Sequence, residues 1–96
     1  MTAIDSVDEE MILRVRGASS ASALAGAISH GVYDSKKVVL RAIGAGAINQ
    51  GVKAIAIAQS LCMARGVCLS TRFGFTEVTM PDNKISTAIL MKIVVD

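Results

Sequence analysis

At 96 residues and 10.0 kDa, the chain is long enough for one small domain with a short tail. An apolar fraction of 52% and a mean hydropathy of +0.53 exclude a disordered polar chain, yet no apolar run approaches the ~20 residues of a membrane-spanning helix. The formal net charge of +2 conceals an asymmetry: residues 1–10 hold four acids (Asp5, Asp8, Glu9, Glu10) and no base, so residues 11–96 keep ten Lys and Arg against four acids, a balance of +6.

Residues 1–10 read as an acidic, flexible extension, and residues 11–96 as the folded domain. The domain opens with Met11–Arg16, where Met11, Leu13 and Val15 alternate with Arg14 and Arg16, the pattern of a half-buried strand. Gly17–Ser20 is a turn in which either serine can cap the helix that follows. That helix carries Ala21, Leu24, Ala25 and Ile28 at i, i+3, i+4 and i+7, and Gly31 suits its left-handed C-cap. Gly26, inside it, predicts a close backbone contact.

A second strand, Val38–Ile43, is broken by Gly44-Ala45-Gly46. A longer helix from about Ala47 to Ala64 puts Ile48, Val52, Ile55 and Cys62 on one face, widened by Ile57 and Leu61. In the third strand Val67, Leu69, Phe73 and Phe75 share a face, and Pro81-Asp82-Asn83 turns the chain into a last strand over about Ser86–Val95. The order β-α-β-α-β-β predicts an α/β two-layer sandwich: a mixed four-stranded sheet with both helices on one face and Arg14, Arg16 and Arg41 looking outward. With fourteen alanines, 3% aromatics and no Trp, the core must be built by close approach of small side chains.

The segment from Gly44 to Lys53 follows a strand and opens a helix, so nucleotide motifs must be tested there. A dinucleotide fingerprint needs a third glycine where Asn49 stands. Gly46 and Gly51 have the separation of a P-loop, but Val52-Lys53-Ala54 follows, with the lysine out of register and no Mg²⁺-binding hydroxyl. Both motifs fail. What remains is a general anion site: Gly44 and Gly46 expose amides at the positive end of a long helix, and Asn49, Gln50 and Lys53 add donors in its first turns.

One histidine and two cysteines six residues apart form no catalytic constellation, metal cluster or Cys-x-x-Cys site, so no enzyme, metal or cofactor is expected. His30 is read as a helix-end residue and the cysteines as reduced core thiols. With no secretory pattern at the N-terminus, the expectation is a soluble cytoplasmic domain.

The run Arg41-Ala42-Ile43-Gly44-Ala45-Gly46-Ala47-Ile48-Asn49-Gln50-Gly51-Val52-Lys53-Ala54-Ile55-Ala56-Ile57-Ala58 resembles the central signature of the stage V sporulation protein S family. Ser19-Ser20, Ala25-Gly26-Ala27, Gly66-Val67, Phe75-Thr76 and Thr87-Ala88-Ile89 extend the likeness over about residues 11–95. That family is similar to Alba proteins, dimers that bind DNA or RNA through the first strand-to-helix loop, the start of the second helix and the terminal hairpin. The resemblance implies a homodimeric nucleic-acid-binding or regulatory protein of sporulation or a related programme. Its phosphate contacts would come from Ser19, Ser20, Gly44, Gly46, Asn49, Gln50 and Lys53, with Arg72 and Lys84 on the hairpin. The loop Gly17–Ser20 has no lysine, so contact there falls to amides and hydroxyls. Two other readings stand beside this one: a homodimeric protein-interaction module without nucleic acid, and a sensor of a small anion at Gly44–Gly46. A further expectation is that the acidic extension competes with an anionic partner for the basic surface.

Overall fold

The structure, a computed structural model, describes residues 10–96. Apart from Glu10, the acidic extension lies outside the described residues. The elements are β1 (Glu10–Val15), α1 (Ala21–Tyr33), β2 (Lys37–Ala42), α2 (Ala45–Met63), β3 (Leu69–Thr79) and β4 (Ile85–Val95). The sheet order is β1-β2-β4-β3, with β1 parallel to β2 and both other pairings antiparallel. The expected mixed sheet with two helices on one face is therefore what forms.

Strand alternation dictates the two faces. Met11 pairs with Val38, Leu13 with Leu40, Leu40 with Met91 and Met91 with Phe73, so these positions share the side that meets the helices. One residue out of phase, Arg14 pairs with Arg41, Val39 with Lys92 and Lys92 with Arg72, on the face that neither helix covers. The outward direction expected for Arg14 and Arg41 follows from this register.

Small residues do line the interface between the layers, but not where the longest aliphatics pointed. Sequence periodicity places Ile48, Val52, Ile55 and Cys62 on the buried stripe of α2. Ile55 and Cys62 are buried and Ile48 packs half-buried against the core. The rest of the stripe is Ala47, Gly51, Ala54 and Ala58, with Val52 outside it. A stripe of Ala and Gly brings the helix axis closer than a stripe of Ile and Val would. It leaves Val52, Ile57 and Leu61 exposed. Across the helix pair, the Ser29 hydroxyl donates to Ala25 O at 3.0 Å and lies 3.8 Å from Cys62 Sγ, a weak thiol donor. Arg65 sits 4.7 Å over the Tyr33 ring and ties the end of α2 to α1. Cys62 is a core thiol as expected, whereas Cys68 is exposed.

Two glycines of α1 play roles opposite to those read from the sequence. The helix does not stop at Gly31 but runs on to Tyr33, with Asp34 as its C-cap. Gly31 is buried, and a β-carbon there would meet Val38 Cγ2 at 2.7 Å and Met11 Sδ at 2.8 Å. Gly26 has nothing within 4 Å in that direction, so its predicted backbone contact is absent. Gly31→Ala should cost about 1–3 kcal/mol, because buried, β-branched Val38 is stiff. Gly26→Ala should gain up to about 1 kcal/mol of helix propensity. Urea midpoints moving in opposite directions for the two variants would check this assignment.

The third strand extends past its expected end, to Thr79, and with β4 forms an arm. β4 pairs with β3 from Ile85 to Val95 but with β2 only from Ile89 to Lys92. The hairpin beyond Ile89 thus runs past the C-terminal end of β2. Its turn closes through Met80 N–H to Lys84 O at 2.7 Å and Asn83 N–H to Met80 O at 2.9 Å. Asn83 takes a left-handed φ of 66°, which asparagine tolerates, and Asp82 Oδ1 accepts from Lys84 N–H at 3.1 Å.

Candidate nucleic-acid interface

Because β1 and β2 are parallel, their C-terminal ends lie side by side, and each feeds a helix from the same edge of the sheet. The first loop is closed from within: Arg16 N–H donates to Ser19 Oγ at 2.8 Å and Ser19 N–H to Arg16 O at 3.0 Å. Ser20 is the N-cap of α1, its Oγ accepting from Ala23 N–H at 3.2 Å. Both hydroxyl oxygens are thus occupied as acceptors, and each hydroxyl keeps one proton to donate outward.

The second loop relies on Gly44, whose φ of 93° and ψ of 156° fall in a region essentially reserved for glycine. This residue is also the N-cap of α2 and has no side chain to cap it, so the first amides of the helix have no side-chain partner. A β-carbon on Gly46 would lie 3.6 Å from Gly17 Cα, an ordinary contact that shows how closely the two loops approach. Gln50 straps them together, its Nε2 donating to Ser19 O at 2.7 Å. Asn49 Nδ2 lies 3.4 Å from Gln50 Oε1. Lys53 is exposed one turn further along α2.

Of the residues singled out from sequence, Ser19, Ser20, Gly44, Gly46, Asn49 and Gln50 are therefore gathered at one end of the molecule, whereas Lys53 stands midway along α2, about 12 Å from its start. Gln50 acts there as a brace, since its amide is already engaged. Lys84 sits at the tip of the arm, bonded by its carbonyl to Met80, which itself borders this end. Arg72 does not join them. It lies mid-strand on the uncovered face of the sheet, opposite Lys92.

The structure also brings in three residues that sequence reasoning left out of the site. Arg14, Arg16 and Arg41 line a depression of about 310 Å³ together with Gly17, Ile43 and Met80. None of the three arginines has an ion pair among the described residues. Their alternation with apolar residues was visible in β1. What brings Arg41 beside Arg14 is the parallel register, a long-range pairing. Guanidinium groups without ion pairs among the described residues, and with no acid in the lining, form a surface suited to phosphate oxygens. His30 is elsewhere, at the far end of α1, 3.5 Å from Asp34.

The model of Stage V sporulation protein S matches residues 11–96. The chain belongs to the stage V sporulation protein S family. It is a sporulation-related protein, and the matched span takes in every residue of the candidate interface. Among the described residues, no helix is long and apolar enough to cross a membrane.

Proposed function

We propose that this stage V sporulation protein S family member is a non-enzymatic, homodimeric nucleic-acid-binding protein with a regulatory role. Phosphates of DNA or RNA are held at the edge where the two loops, the start of α2 and the tip of the arm meet. The observation that carries this reading is the convergence of Arg14, Arg16 and Arg41, without ion pairs among the described residues, on the end where Gly44 leaves the α2 amides uncapped. Lys53 and Lys84 extend the positive surface to either side. The interface offers no aromatic platform, so recognition rests on the backbone and base selectivity is low.

Fluorescence anisotropy with labelled duplex DNA and single-stranded RNA tests the reading. With ~3–5 phosphates neutralised per protomer, the slope of log K against log salt should be roughly −3 to −4.5. Affinity should then fall by about 50- to 500-fold between 50 and 200 mM salt. Lys53→Glu should flatten that slope by about one unit. Flat traces at both salts would sink the proposal. In that event the protein-interaction reading takes over, favoured by the exposed Phe73 and Phe75 on the helix side of β3.

A further inference from the structure

The face of the sheet that the helices leave bare holds a second basic site, at the opposite end from the arginine depression. A groove of about 450 Å³ runs there between the start of β1 and β2 and the end of β4. Its walls carry Lys36, Lys37, Arg72 and Lys92, against Glu10 as the one acid, a local balance of +3. Lys92 and Arg72 are direct cross-strand partners, and neither has an ion pair among the described residues. Like charges placed directly opposite each other destabilise a sheet unless an anion lies between them. Val39 and Val94 line the same groove.

The chain itself enters the sheet through this groove. Glu10, on its wall, is the first residue of β1 and the register partner of Lys37. Immediately before it stand nine residues that contain Asp5, Asp8 and Glu9 and no Lys or Arg. Their side-chain charge of −3 is opposite in sign to that of Lys36, Arg72 and Lys92. Nine residues span up to ~30 Å when extended. From β1 to Arg72 on β3 is only three strand spacings, ~15 Å. Attachment at the rim also gives these acids an effective concentration on the order of millimolar, ahead of any free acidic peptide.

We propose that residues 1–9 dock in this groove, with Asp5, Asp8 and Glu9 facing Lys36, Arg72 and Lys92, as an internal anion that covers the bare sheet face. This site is separate from the arginine edge and does not depend on nucleic-acid binding there. The test compares amide chemical shifts of the full chain with those of the full-length variant D5N/D8N/E9Q, at 25 and 500 mM NaCl. Docking predicts differences at Lys37, Arg72, Lys92 and Val94 at 25 mM that shrink several-fold at 500 mM. Arg72→Gln with Lys92→Gln should erase those differences without loss of the folded spectrum. Differences confined to residues 1–11 at both salts would overturn the proposal. So would a short single-stranded DNA that shifts the groove residues equally in the full chain and the neutralised variant, since the groove would then be open to an outside polyanion.

Discussion

Arg14→Glu combined with Arg16→Glu is expected to weaken binding to duplex DNA or single-stranded RNA by about 100-fold or more at 50 mM salt. It should also flatten the salt dependence by about two units, one for each phosphate contact removed. Both side chains are exposed and have no ion pair among the described residues, so their reversal breaks no folded contact. Thermal midpoints should accordingly stay within a few degrees of the parent. A matched control separates the site from mere net charge. Arg65→Glu changes the total charge as each single reversal does, but it sits beyond the opposite end of α2, over Tyr33. That variant should bind within about threefold of the parent, because exposed charges more than a Debye length from the site, ~10 Å at 0.1 M, are largely screened. Parent-like affinity in the double variant would remove the arginine edge as the binding surface.

Phe73→Glu with Phe75→Glu is expected to convert the proposed homodimer into a monomer. These two aromatics are 66% and 74% exposed although they sit on the helix side of the sheet, because α2 packs over Leu40 and Met91 and leaves these two rings uncovered. Val52 and Leu61, each about half exposed, add apolar surface on α2. Aromatic hot spots at the centre of a seam cost about 2 kcal/mol or more on truncation, so two charged replacements there should weaken association by about a thousandfold. Light scattering after gel filtration should give about twice the 10.0 kDa chain mass for the parent and a single chain mass for the variant. The far-ultraviolet circular dichroism should not change, since neither ring is buried in the monomer. A parent that already elutes at 10.0 kDa would eliminate the dimer.

Local order was readable wherever the physics is local. Alternation in Met11–Arg16 gave the correct faces of β1. Ser20 capped the helix it precedes, and Pro81-Asp82-Asn83 made the turn. Gly44 was legible as the break before α2 because its backbone geometry suits only glycine. Reading failed where a residue's role depends on what another segment places against it. Gly31 looked like a helix stop, yet Val38 and Met11 need the space above it. Val52 looked like core, yet α2 rotates to bury its alanines, since only small side chains let two helices and a sheet approach this closely.

The candidate interface divides along the same line. The sequence by itself determined the two loops, the uncapped amides behind Gly44 and a positive balance in the folded part. Those follow from local backbone preference and from composition. Only the tertiary structure decided which cations act together. Parallel pairing of β1 with β2 brings Arg14 to Arg41, while antiparallel pairing of β3 with β4 sets Arg72 beside Lys92, toward the other end of the same bare face. Both of these residue pairings join positions twenty or more apart in the chain. A shift of one residue would exchange the two faces of the sheet, and with them the partners of every arginine.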